Sequence, residues 1–189
     1  MDGIESDIPI QVVQYPVTQG KSIDCTPISG DIGDPEMIFL NPLEQTLTKI
    51  TMYSTQLNQI LRHYINVVIP TSGVSSFKLD GVAPVNGFNP VAGLPNYCYA
   101  QLDVGQGTHN LQADIGFNAI AYGFGNFESY GYAAGASLVS AGLQARSSVS
   151  KQLKTVGCLN ESYNLELTRM LNISKIILVP QSIFLTGTA

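Results

Sequence analysis

The chain has 189 residues, of which 44% are hydrophobic and only 12% charged, and its net charge is −5. That length and apolar content support a good core, but charge is about half its usual share, so Ser, Thr, Asn, Gln and Gly must cover the surface, as in extracellular β-modules. The acidic balance argues against nucleic acid, because the only close basic neighbours, Arg146, Lys151 and Lys154, release few counterions; no run of about 18 apolar residues is present, so no membrane insertion is expected.

The start, MDGIESDIPIQVVQY, is acidic and lacks the basic and apolar regions of a signal peptide. For an extracellular protein, this reads as a piece of a longer chain. Ile8 to Val17 alternates and reads as a strand. Residues 18–35 hold Gly20, Pro27, Gly30, Gly33 and Pro35 and read as a long loop. Met37 to Leu40 is a short strand turned by Asn41-Pro42. Leu47 to Tyr53 sets Leu47, Lys49, Thr51 and Tyr53 against Thr48, Ile50 and Met52, the period of a half-buried strand. Gln56 to Leu61 is open between a loop and a short helical turn.

His63 to Ile69 is a strand stopped by Pro70, and Phe77 to Leu79 is another, turned by Asp80-Gly81. Residues 81–95 are loop. Tyr97 to Val104 alternates cleanly and turns through Gly105-Gln106-Gly107 into a strand at His109 to Ile115. From Gly116 to Gly135 the chain runs GFNAIAYGFGNFESYGYAAG, with Glu128 its only charge. Phe117, Ala119 and Ala121 fall on one face, Asn118, Ile120 and Tyr122 on the other. The pattern then breaks into Gly-aromatic steps, where glycine permits close backbone approach and the rings supply rigid contact area.

Past Gly135 the texture becomes small and polar through Ser150, with one strand at its start and a linker-like end. Glu161 to Leu167 and Ile173 to Val179 alternate as two further strands. The pattern predicts an antiparallel all-β sandwich, jelly-roll-like, over residues 8–140. Residues 141–157 are expected as linker, and 158–189 as the truncated opening of a second β-module, Ig- or PKD-like, too short to bury a core alone.

Few residues carry chemistry. Cys25, Cys98 and Cys158 are too widely spaced for metal or redox motifs; Cys25 with Cys98 as a disulfide and three buried thiols are both open. His109, after Gly107-Thr108, is expected to bond a turn carbonyl, since His63 is the only other histidine. Asp80, Asp103, Asp114 and Glu128, or Asp31, Asp34 and Glu36, are the oxygen-rich sets open to calcium, but neither has EF-hand spacing. No GxSxG, paired carboxylates or phosphate loop stands out. No enzyme, metal or cofactor is therefore expected. Tyr122, Phe124, Phe127, Tyr130 and Tyr132 divide between core packing and a recognition rim. The candidate ligand-binding residues are Phe127, Glu128, Tyr130 and Tyr132, placed at a turn-like Asn126-Phe127-Glu128-Ser129.

Several segments together resemble the N-terminal domain of the IgG Fc-binding protein family, in its bacterial branch. They are Asp34-Pro35-Glu36-Met37-Ile38, Asn41-Pro42-Leu43-Glu44-Gln45, His63 to Pro70, Phe77 to Gly81, Gly107-Thr108-His109, Phe117 to Gly123 and Glu128 to Tyr132. The resemblance covers roughly residues 8–140. It implies a non-enzymatic recognition or adhesion module of a large surface protein of gliding bacteria, extracellular, with Ig- or PKD-like modules downstream. A protein, glycoprotein or glycan would be its partner. The family attaches no catalytic residues to this fold, and its Fc-binding activity is tied to no motif here. Cys158 to Ile177 looks like the start of a PKD-like module, but Leu178 to Phe184 departs from it. An architectural spacer is the alternative role, and a carbohydrate-active or metal-dependent enzyme the third.

Overall fold

The computed structural model describes residues 2–7, 10–20, 27, 32–57, 59–85 and 87–137, and the backbone of four strands beyond them. In chain order the strands are β1 (Asp2–Ser6), β2 (Val13–Gln14), β3 (Ile38–Phe39), β4 (Leu47–Ser54), β5 (Ile60–Pro70), β6 (Lys78–Leu79), β7 (Asn89–Val91), β8 (Leu94–Val104), β9 (Gly107–Gly125) and β10 (Glu128–Ala133). The later four are β11 (Leu143–Ser147), β12 (Leu153–Lys154), β13 (Tyr163–Leu167) and β14 (Ser174–Leu178). A 3-10 turn at Thr71–Ser76 follows β5. Every pairing is antiparallel.

β9 organises the molecule. Its first part pairs with β4 and β6, and its second part with β5 and β10. β5 passes the ladder on, giving the open order β10-β9-β5-β8-β7. A strand shared in this way makes the corner of a β-sandwich. The fold is thus the all-β sandwich that the alternation predicts. The expected separate strand at His109 to Ile115 is instead continuous with the Gly116 segment. The register slips between Lys49↔Gln112 and Leu47↔Phe117, and a Cβ on Gly116 would collide with the Thr46 side chain. Glycine here permits close packing rather than ending the strand.

Two cores follow from the alternation. Phe117, Ala119 and Ala121 face a core shared with Ile65, Val67 and Ile69 of β5, Ala100 and Leu102 of β8 and Phe77. Phe77 meets Phe117 edge-on, with centroids 5.3 Å apart at 81°. Tyr122 and Phe124 point the other way, into a cluster with Tyr64, Ile38 and Leu40. Tyr64 and Tyr122 stack at 5.4 Å, and the Tyr122 hydroxyl donates to Asn66 Oδ1 at 3.0 Å. Both faces of the second part of β9 are covered because the segment around β3 lies over the outer one. Burying one large apolar side chain contributes about 1.5–3 kcal/mol, so Phe117 and Tyr122 are among the main anchors.

Other expectations are corrected locally. Ile8 lies outside the described residues, and among them the strand expected over Ile8 to Val17 is confined to Val13–Gln14, which pairs with Ile38–Phe39. Pro16 lacks an N–H to extend it, and Pro35 and Pro42 bound the partner segment. Of the two readings open for Gln56 to Leu61, its described residues take the non-helical one: Gln59 has φ 53 and β5 begins at Ile60. Pro70 supplies the N-cap of a 3-10 turn rather than a simple stop. Beyond residue 140, β11 and β12 join β13 in a three-stranded sheet, while β14 pairs with β1. Cys98 is a buried free thiol, 3.5 Å from the Thr71 hydroxyl; Cys25 and Cys158 lie outside the described residues.

Candidate functional site

β9 and β10 form a hairpin. Gly125 faces Glu128, so Asn126 and Phe127 alone make the turn. Phe127 has φ 53 and is 68% exposed. A bulky aromatic in the left-handed region is strained, normally by about 1–3 kcal/mol, and persists only where its surroundings fix it. Gln19 supplies that constraint. Its Nε2 donates to Asn126 Oδ1 at 3.0 Å, and its Oε1 accepts from the Phe127 N–H at 2.7 Å. The clamp is itself tied down, since Gln19 N–H donates to Gly33 O and Gly33 N–H to Gly125 O, at 3.0 and 2.8 Å. Gly33 has φ 130, and a Cβ there would press on Phe124 at 3.2 Å. Ser129 Oγ donates to Asp34 O at 2.7 Å, fixing the other arm.

The β4–β5 loop abuts this hairpin. Ile60 pairs with Gly125, and a Cβ on Gly125 would lie 2.6 Å from Gln59 O. The register slips between Ile60 and Arg62, so Leu61 is the extra residue of a bulge and projects outward. Leu57 and Leu61 are exposed with Phe127, at 72% and 62%. One end of the sandwich thus presents three large apolar side chains beside the carboxylate of exposed Glu128.

The four candidate residues separate. Phe127 and Glu128 are exposed at the turn. Tyr130 and Tyr132 are half-buried on β10 and pack against the main core, which corrects the expectation of an exposed Tyr130. The Tyr130 hydroxyl bonds His63 Nδ1 at 3.1 Å. Burial pushes its phenol up to about 12. The Tyr132 hydroxyl accepts from the Tyr53 N–H at 3.0 Å and donates to Tyr53 O at 2.8 Å, capping the backbone of β4. Sequence reasoning missed Gln19, whose role depends on a partner more than a hundred residues away, and Leu61, whose bulge the local pattern does not signal.

Both histidines are engaged in internal hydrogen bonds. His109 Nε2 lies 2.8 Å from Gly105 O, the turn carbonyl expected for it, and Nδ1 lies 2.8 Å from Asp80 Oδ2. Both ring nitrogens are therefore occupied. Asp80 sits in a two-residue turn with Gly81, at φ 52 and 83, closed by reciprocal Leu79–Val82 bonds. Burial raises the Asp80 carboxyl, but the His109 hydrogen bond and charge and the Asn110 N–H outweigh it and hold it below the ordinary range. Burial also holds His63 below its ordinary value, helped by His109 and opposed by Asp103. Among the described residues no three His, Cys, Asp or Glu group to hold a metal; Asp31 lies outside them. No helix among them is long and apolar enough to cross a membrane.

A family model described as IgGFc binding protein matches residues 3–123. No curated protein and no solved structure matches the chain. The matched span ends at Gly123, before the strained turn.

Proposed function

The chain belongs to the IgG Fc-binding protein family, and from that premise we propose that it is a non-enzymatic, extracellular recognition module of a large surface protein, contacting a protein or glycoprotein partner through the β9–β10 turn. The observation that carries this reading is Phe127, strained and exposed yet clamped by Gln19. Backbone strain held in place by other contacts is characteristic of binding elements. A turn backbone already fixed before binding loses little entropy on contact. Leu57 and Leu61 widen the apolar centre, while Glu128 and the amides of Gln19 and Asn126 form a polar rim. A few such anchors suffice when many copies act together on a surface. Within this reading residues 8–140 act as the recognition unit, and the segments beyond them lead toward Ig- or PKD-like modules of the longer protein.

One observation favours an architectural spacer instead: Tyr130 and Tyr132 spend their hydroxyls on internal bonds rather than a ligand. The two readings separate on a combined array of glycans, mucins and immunoglobulin fragments, probed with the full chain and with Phe127→Asn. Recognition predicts saturable binding that disappears in the variant with no loss of melting temperature. Silence from the folded chain supports the spacer.

A further inference from the structure

Away from the turn, the sheet of β4, β9 and β6 has an outer face whose side chains converge. Gln112 of β9 has Lys49 of β4 on one side and Lys78 of β6 on the other as its Cα partners. At the usual strand spacing the two lysine Cα atoms stand about 10 Å apart with the glutamine between them. One step along, Thr51 faces Asn110, and the next step sets Tyr53 opposite Thr108. Lys49, Thr51, Asn110, Gln112 and Lys78 are all exposed and line one cleft of about 290 Å³ that reaches Gly81.

The hydrogen-bonding capacity of this cleft is largely unspent. Thr51 Oγ1 donates to Asn110 Oδ1 at 2.9 Å, which orients the amide and leaves its Nδ2 hydrogens available. Among the described residues, neither lysine ammonium nor the Gln112 amide has a hydrogen-bond or ion-pair partner. The carboxylate at the neighbouring turn, Asp80, is occupied by His109 and the Asn110 N–H. In a chain with 14 acidic and 9 basic residues, the two lysines stand as unspent donors on either side of the Gln112 amide, with the exposed Asp114 carboxylate next along the same face of β9 as the one opposing charge of that row. Tyr53, 49% exposed, continues the same row as an aromatic surface.

We propose that this face binds an acidic oligosaccharide. The lysines would take sulfate or carboxylate groups by charge-assisted hydrogen bonds. The Asn110 and Gln112 amides would take ring hydroxyls, and Tyr53 would offer its ring to a sugar face. Two lysines on a net acidic chain are too few for a nucleic-acid backbone. Their separation suits two charges spaced along an oligosaccharide rather than one small anion.

The test uses the full chain in calorimetric titrations with a sulfated heparin-derived tetrasaccharide, sialyllactose, neutral lactose and inorganic sulfate. We expect saturable binding of at least one acidic sugar and none of lactose, with affinity falling as salt is added. Each lost charged hydrogen bond weakens binding about tenfold or more, so Lys49→Gln/Lys78→Gln should lose the acidic sugar while melting unchanged. Phe127→Asn should keep it, which separates this site from the turn. Whichever acidic sugar binds identifies the charged group. Binding of neither acidic sugar, equal binding by inorganic sulfate, or undiminished binding by the double variant would overturn the proposal.

Discussion

Phe127→Asn should leave stability unchanged or slightly higher, although removing a packed aromatic normally costs about 3–5 kcal/mol. Phe127 is 68% exposed, so about a third of its ring is covered. Full burial of such a side chain contributes about 1.5–3 kcal/mol, so the covered third is worth about 0.5–1 kcal/mol. Against that stands the left-handed backbone at φ 53. An L-residue there pays about 1–2 kcal/mol, which Asn largely avoids by local hydrogen bonding. The Gln19 clamp grips the Phe127 backbone N–H, not its ring, and survives the change. The two contributions oppose each other, leaving a net effect between about zero and 1.5 kcal/mol in favour of the variant. Urea denaturation of both chains, followed by tyrosine fluorescence and circular dichroism, measures the difference. A loss above about 2 kcal/mol would refute the reasoning, because it would show a ring packed like a core residue.

Gly123→Ala should behave oppositely: its Cβ would meet the Tyr130 ring and come within 2.8 Å of the Arg62 carbonyl oxygen, a backbone atom that cannot yield. A loss of about 1–3 kcal/mol in the same assay is expected for such overpacking, and an unchanged midpoint would contradict it. The His63 ring should titrate by NMR with a midpoint below 6.5, since burial disfavours its charged form. His63 therefore contributes stability at pH above 6.5 that is lost as pH falls through the lower folded value; a midpoint at or above 6.5 would contradict this. Asp80 has the carboxylate form of the same linkage. Its folded value is depressed below 3.8, so its contribution is present above 3.8 and disappears as pH falls through the folded value. Asp80→Asn should lower the melting temperature at neutral pH, and the gap should close in strong acid; a gap independent of pH would count against the His109 contact.

What the sequence discloses is local. The alternation of Leu47 to Tyr53 picks out Ile50 and Met52 for the core and leaves Lys49, Thr51 and Tyr53 outside, as found. Asp80-Gly81 and Gly105-Gln106 turn where their backbone preferences say, and His109 meets the carbonyl expected of it. Long-range relations are not legible. Gly116 reads as a break because nothing local shows that Thr46 packs against it. The sequence leaves Tyr130 and Tyr132 divided between core and rim because their partners, His63 and Tyr53, lie 67 and 79 residues away. The pairing of Lys49 with Lys78 across Gln112 exists only in the sheet register. At the turn, Asn126-Phe127 is readable as a turn, while the Gln19 clamp that makes it a fixed presenting surface is not.

Hydrogen–deuterium exchange on the full chain, with and without the ligand identified on the array, tests the central claim most directly. The account predicts new protection centred on Asn126–Glu128 and the Leu57–Leu61 loop. A bound chain with no change there, and protection elsewhere on the sandwich, would contradict it.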